Sequence, residues 1–489
     1  MSEKNYRSPL DPADWGEFRH QAHALLDQMI ERLEHAAEGP VWRPVPDEVK
    51  RRLAAPSPQA GQDVASLRQE LAELVLPYAT GNTHPRFLGW VHGTGTPGGM
   101  LAEMAAAAIN ANCGGRDHGA IYVERAVIGW ARQWFGLPDE AGGLLVGGTS
   151  TANLLGLTVA RNQQAKRLAG ADLRADGLAG LPLVGYTSVE GHSCLAKAFE
   201  VMGLGRSALR RIPVDADYRM DLQALRAAIV ADRDAGLMPF CVVATCGTVN
   251  SGGIDDLDAI ADLCRSQDLW MHVDGAFGAV AILSPEHAPR LKGIERADSI
   301  AFDFHKWLHV PYDAGCILVR DQSLQLDSFS GRPAYLASAA ALAGGDPWPC
   351  DLGTELSRGF RALKVWWTLK EQGTERLGQA IARNCRQARM VAGMIGERPD
   401  MRLMAPVSLQ IVCCRYQPDG VGNDQGDLLN SHIVAQLQER GIAAPSTCQV
   451  KGHLAIRISI TNHRCGDDDL VLLLDAIEEI GAELLGQAG

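Results

Sequence analysis

The 489-residue chain carries 46 Lys and Arg against 58 Asp and Glu, a formal net charge of −12, with 46% hydrophobic and 21% charged residues. That acidic balance, without any Lys/Arg-rich run, excludes a nucleic-acid binder, and the length exceeds one ordinary core, so two or three domains are expected. No apolar run reaches 18 residues and Met1–Pro9 lacks the apolar core of a signal peptide, so neither a membrane span nor secretion is expected. The twelve cysteines form no Cys-x-x-Cys, and Cys241, Cys246 and Cys316 lie in apolar runs. They read as free buried thiols in a reducing, cytoplasmic compartment, with no metal site expected.

Residues from about 11 to 80 carry helical periodicity (Phe18, Leu25, Leu26, Met29, Ile30, Leu33), interrupted by a Pro-rich linker over Gly39–Pro46. This is too little for a separate core, so residues 1–89 are expected to pack as helices on something else, such as a second subunit. Over residues 90–372, apolar runs at Gly143–Val146, Leu181–Tyr186, Phe240–Thr245, Leu269–Asp274, Ser299–Asp303 and Gly315–Val319 alternate with longer helical stretches. Such alternation predicts βαβ units and a mainly parallel sheet with helices on both faces. Ala337–Gly345 reads as a mobile loop. Residues 373–489 mix strands at Ser408–Cys414 and Leu454–Ile460 with helices at Leu428–Arg440 and Asp467–Leu485, which predicts a smaller α+β domain.

Candidate chemistry collects where strands end, the edge at which parallel sheets bind ligands. After the first strand comes Gly147-Gly148-Thr149-Ser150-Thr151, a glycine turn with three hydroxyls opening a helix. Free N–H groups and hydroxyls there suit a phosphate dianion, although an ordinary capped helix start has the same composition. It is neither a Walker loop nor a dinucleotide fingerprint. His192 follows the second strand and suits either stacking on a flat ring or capping a helix, whereas Lys197 reads as a solvated helix residue. Thr245-Cys246-Gly247-Thr248 leaves the next strand through a polar loop, a ligand wall or a plain turn. Asp274 ends a further strand, and His305-Lys306 follows another. A nucleophilic lysine and an ionised aspartate, brought to neighbouring strand ends, are what pyridoxal 5′-phosphate (PLP) needs: the lysine holds the aldehyde as a Schiff base, and the carboxylate keeps the pyridine nitrogen protonated.

These segments resemble the group II PLP-dependent amino-acid decarboxylases, which include aromatic-L-amino-acid and glutamate decarboxylases. The likeness runs from about Thr83 to the C-terminus, through His84–Gly89, Gly147–Leu154, His192–Ala198, Thr245–Thr248, His272–Ala276, His305-Lys306-Trp307 and Leu356–Trp366 in family order. The resemblance implies an α/β, type I PLP-dependent transferase fold with a mainly parallel, seven-stranded-type sheet and a small α+β domain. It also implies a homodimer whose active sites lie at the subunit interface. Lys306 would form the internal aldimine. Gly148, Thr149, Ser150 and His305 would hold the phosphate, and Asp274 would pair with the pyridine nitrogen and stabilise the quinonoid carbanion left by CO₂. Ala276 would pack under the ring and His192 stack above it. Arg457 resembles a small-domain arginine that reaches a substrate carboxylate, with a structural ion pair as its alternative.

Three features depart from the family pattern. Val249 stands where the family has a second threonine, and Gly345–Gly353 lacks the mobile-loop tyrosine of the aromatic enzymes, with Tyr335 lying well before it. The segment Asn110–His118 is polar, closer to the glutamate type, so Asn112 and Arg116 are candidate substrate contacts, and Arg86 or Arg116 reads either as the partner of a second carboxylate or as an ordinary surface arginine. The expected activity is decarboxylation of an amino acid to its amine. An aldehyde-forming oxidative deaminase, a C–C lyase or desulfurase of the same fold, and a non-catalytic binding protein stand as alternatives.

Overall fold

The structure, a computed structural model, describes residues 10–331, 342 and 344–488. Its strands are β1 (Phe87–Leu88), β2 (Gly142–Val146), β3 (Leu183–Ser188), β4 (Leu209–Ile212), β5 (Met238–Thr245), β6 (Trp270–Asp274), β7 (Ser299–Asp303), β8 (Gly315–Val319), β9 (Met401–Leu403), β10 (Ile411–Tyr416), β11 (Ala444–Val450) and β12 (His453–Ser459). Seven of them form one sheet in the order β2-β8-β7-β6-β5-β3-β4. Neighbours from β4 through β7 run parallel, and β8 alone is antiparallel to both of its neighbours. Every residue of β2, β3, β6, β7 and β8 is buried, as continuous apolar strands covered on both faces must be.

Alternate residues serve the two faces. Leu144, Val146, Val243 and Ile317 pack beneath the helices Thr149–Ala169 and Ser193–Val201. Leu145, Val242, Cys316 and Leu318 face the helices Gly119–Trp134, Leu222–Asp234 and Leu257–Gln267. The second sheet, in the order β1-β11-β12-β10-β9, is covered by the helices Asn423–Glu439 and Asp467–Ala488. The helix Arg361–Gly396 joins the two layers and breaks at Gly373, where φ is 71°.

Six strands of the large sheet match the sequence pattern. β4 did not show in it, because Arg210 and Arg211 occupy the middle of this edge strand. β11 was hidden by Pro445, which disfavours a strand reading, and β1 is only two residues long. β1 pairs with β11 through Phe87↔Ala444, so the end of the N-terminal segment is stitched into the C-terminal sheet. Ahead of it, the helix Trp15–Glu34 buries none of its residues in this chain.

One buried ion pair anchors the strand that feeds the glycine turn. Arg358 donates from Nη1 and Nη2 to Glu124 at 2.9 and 2.6 Å, and from Nη2 to the Leu145 carbonyl at 2.6 Å. Glu124 in turn accepts the Leu145 N–H at 3.1 Å. Losing one member would leave an uncompensated buried charge, a cost of about 3–5 kcal/mol.

Candidate active site

The carboxyl ends of β2, β5, β6 and β7 converge on a cavity of about 450 Å³. Gly148, Thr149, Ser150, His192, Asp274, Ala276, His305, Lys306 and Arg457 all line it. Asp274 ends β6 with a 3% exposed carboxylate, which accepts the Asn153 amide at 3.0 Å and the Ala276 N–H at 3.3 Å. Burial pushes this carboxyl up; the charges of Lys306 and His192 and the Asn153 hydrogen bond oppose that shift. A cationic ring placed against it would add compensation of the same sign.

Lys306 reaches across to Asp303, with Nζ 3.0 Å from Oδ2. The other oxygen of Asp303 accepts the Thr149 N–H at 2.7 Å. Contrary to the reading of a turn with free N–H groups, this donor at the helix start is therefore already engaged. What remains open at Thr149 is its hydroxyl, which is buried without a partner, as is that of Thr245 on the opposite wall. Buried polar atoms without partners are costly, so two of them facing one cavity mark a place for a polar ligand. The turn also needs its glycines: a Cβ on Gly315 would sit 2.5 Å from the Gly148 Cα, so β8 can press against the turn only as glycine.

His305 accepts the Ala314 N–H through Nδ1 at 3.0 Å and packs on Tyr312, with ring centroids 4.3 Å apart. Its Nε2 lies 3.7 Å from Asp303, and burial lowers its pKa. His192 accepts the Cys194 N–H at 3.1 Å and so caps the helix Ser193–Val201. The neutral ring therefore carries its proton on Nε2, and desolvation keeps its pKa below the usual value. The residue caps a helix and also lines the cavity.

Arg457 is 3% exposed and donates to the Val249 carbonyl at 2.8 Å and, at 3.5 Å, to Ser446 Oγ. No carboxylate among the described residues lies within ion-pair distance of it. The structural ion pair that sequence reasoning held open is thus not found there. Val249 itself lines the cavity where a second threonine was expected.

Asn112, Arg116 and Arg86 are placed elsewhere in the chain. The Asn112 side chain accepts the backbone N–H groups of Gly114 and Arg358 at 3.0 and 3.1 Å. Arg116 lies over the Trp348 ring at 4.5 Å, and Arg86 donates to the Ile442 carbonyl at 2.7 Å and faces Asp469 at 3.6 Å. None of the three lines the cavity of its own chain. Tyr335 and most of Ala337–Gly345 lie outside the described residues. Residues that sequence reasoning did not single out are Asp303, Asn153, Trp90, His92 and Tyr312. Asp303 could have been found as the last residue of an apolar strand, three before the lysine. Asn153 could have been found four residues after Thr149, on the same helical face.

A model of the pyridoxal-dependent decarboxylase conserved domain matches residues 46–417, more than half of the chain. The chain belongs to this family. An aromatic-L-amino-acid decarboxylase of Bacillus atrophaeus is 34% identical over 472 residues, 96% of each chain. An L-2,4-diaminobutyrate decarboxylase of Rhizobium meliloti is 30% identical and covers 88% of this chain and 84% of its own. Among solved structures, an Oryza sativa TDC with PLP and tryptamine superposes with a TM-score of 0.89 at 27% identity, covering 97% of this chain and 99% of that one. The protein is accordingly a PLP-dependent carboxy-lyase that decarboxylates an amino acid, and its architecture is the type I PLP fold. No helix of the described residues is long and apolar enough to cross a membrane.

Proposed function

We propose that the substrate is an aromatic amino acid, that the product is its amine, and that two copies of the chain form the working unit. The observation that carries the substrate reading is a wall of rings in the cavity that Arg457 also lines, with the Trp90 backbone N–H and the Arg457 guanidinium both 3.5 Å from Ser446 Oγ. There Trp90, His92 and Tyr312 form a run of rings, with Trp90 stacked on His92 at 5.6 Å and His92 edge-on to Tyr312 at 6.1 Å. Flat rings attract a flat side chain, and an unpaired buried guanidinium attracts a carboxylate. The polar Asn110–His118 segment, which pointed toward the glutamate type, contributes nothing to this wall within one chain.

In this reading Lys306 carries the cofactor and Asp274 faces its ring nitrogen. Thr149, Ser150 and His305 bind its phosphate, while Ala276 and His192 enclose the ring. Bound PLP supplies the electron sink for the carbon that loses CO₂. Arg457 orients the substrate by its carboxylate, which sets the bond to be broken relative to the ring. His192 lines the cavity together with Asp274 and Lys306, and in this reading its Nε2–H is the proton source.

A second copy is supported by the unburied helix Trp15–Glu34, where Trp15, Phe18 and Ile30 are 59%, 39% and 46% exposed. Exposed apolar side chains along a helix with no buried residue suit an interaction surface. All twelve cysteines are free, which fits a cytoplasmic enzyme. The test is a screen of the twenty amino acids, hydroxylated aromatics and diamino acids for CO₂, amine, aldehyde and H₂O₂ together. Stoichiometric amine and CO₂ from an aromatic substrate is the expected result. Aldehyde with peroxide, or turnover confined to acidic or diamino substrates, would overturn the reading.

A further inference from the structure

Asp274 is the end of a chain of buried hydrogen bonds. Trp270 Nε1 donates to Ser299 Oγ at 2.8 Å, Ser299 Oγ meets His272 Nδ1 at 2.7 Å, His272 Nε2 meets Asn153 Oδ1 at 2.9 Å, and Asn153 Nδ2 donates to Asp274 Oδ2 at 3.0 Å. None of the five side chains belongs to a residue more than 5% exposed.

The direction of this chain is set from both ends. An indole N–H can only donate, so Ser299 accepts from Trp270 and keeps its single proton available for His272 Nδ1. An ionised Asp274 can only accept, so Asn153 turns its NH₂ to Asp274 and its carbonyl to His272 Nε2. Both requirements put the His272 proton on Nε2. One tautomer and one amide orientation therefore satisfy every member, and a fully satisfied buried network is rigid.

The fold is shaped around that arrangement. His272 and Asp274 are two residues apart on β6 and so share a face, and His272 is the register partner of Ser299 on β7. Asn153 and Gly156 are three apart on the helix Thr149–Ala169 and share its sheet-facing side. A Cβ on Gly156 would lie 2.9 Å from the His272 ring. A mid-helix glycine costs about 1 kcal/mol relative to alanine, and here it clears the space the imidazole occupies.

We propose that Asn153, His272 and Ser299 are positioning residues that keep Asp274 ionised and aimed at the cofactor's ring nitrogen, a role that rests on the assignment of the cavity to PLP. Among the described residues Asn153 gives Asp274 its one side-chain hydrogen bond, so the charge of Asp274 depends on it directly. His272 acts through Asn153, and Ser299 acts through His272.

The test titrates PLP into apo protein by absorbance and compares wild type with Asn153→Leu, His272→Phe, His272→Gln and the Asn153→Leu/His272→Phe double variant. Asn153→Leu and His272→Phe are expected to weaken PLP binding about 10- to 100-fold, the value of a hydrogen bond to a charged group. His272→Gln, which returns an N–H near the Nε2 position, stays within about 3-fold of wild type. The double variant is no weaker than the worse single one, because both act through the same bond to Asp274. Asn153→Leu with wild-type PLP affinity, or His272→Gln as weak as His272→Phe, would overturn the proposal. If His272→Phe does not fold, the Asn153→Leu titration decides by the same criterion. Wild-type protein that binds no PLP would instead overturn the cavity assignment.

Discussion

Replacing Arg457 by methionine separates recognition of the substrate carboxylate from every other role of that side chain. The guanidinium is nearly inaccessible, its Nε is held by the Val249 carbonyl at 2.8 Å, and its Nη1 contact to Ser446 is long at 3.5 Å. Nη2 has no hydrogen-bond partner among the described residues, so an incoming carboxylate finds donors already desolvated and fixed. Truncating one side of a buried charged pair costs roughly 2–5 kcal/mol, and a cavity still open to water places the effect at the lower end. A loss of about 2–3 kcal/mol is a ~30- to 150-fold fall in kcat/KM for the amino acid. The substitution also strips Val249 of its partner, which disturbs the loop whatever the ligand. The amine product controls for this because it has no carboxylate. Its inhibition constant should change less than about 3-fold, since only the contact it lacks has been removed. Equal weakening of amino acid and amine would refute the carboxylate contact and leave Arg457 as a strut of the loop. No change in either would remove it from the site.

Further outcomes follow from single features of the cavity. Gly315→Ala drives a methyl group into the Gly148 backbone, so PLP affinity should fall at least about 10-fold while overall helix content by circular dichroism is kept. Trp90→Ala should raise KM for aromatic substrates about 3- to 10-fold, the worth of one aromatic pair, with little effect on any residual aliphatic turnover. Burial lowers the pKa of His272 to about 3 and of His463 to about 4, and lowers His309 well below its usual value. Each binds its proton more weakly folded than unfolded, so the stability it contributes is complete above pH 6.5 and is lost as pH falls toward the folded pKa. Denaturation of the apo protein should show stability dropping by up to about 4 kcal/mol per pH unit between pH 6 and 4 from the three together. His463→Asn should flatten that slope, and a pH-independent midpoint across the window would contradict the assignment.

The large sheet was legible because strands buried on both faces write themselves as apolar runs, and Ser299–Asp303 and Gly315–Val319 match residue for residue. Lys306, Asp274 and the glycine turn were legible because each directly follows or ends such a run. β11 and β1 were not: Pro445 argues against a strand, and a two-residue strand has no period to read. Within the site the sequence pointed to groups with reactive chemistry and passed over those that hold them. Asp303 and Asn153 are ordinary polar residues until the fold brings them to 3.0 Å from Lys306 and Asp274. Trp90, His92 and Tyr312 come from two segments far apart in the chain, so their alignment along one wall exists only in three dimensions. The Asn110–His118 segment lines no part of its own chain's cavity: the Asn112 side chain holds backbone and Arg116 lies over Trp348.

The central claim is that Lys306 carries the cofactor. It is tested most directly by incubating the protein with PLP, reducing with borohydride and mapping the modified peptide by mass spectrometry. One pyridoxyl group per chain on Lys306, absent from Lys306→Ala, is the predicted result. A protein that takes up no PLP, or label spread over surface lysines such as Lys197 at wild-type levels in Lys306→Ala, would contradict it.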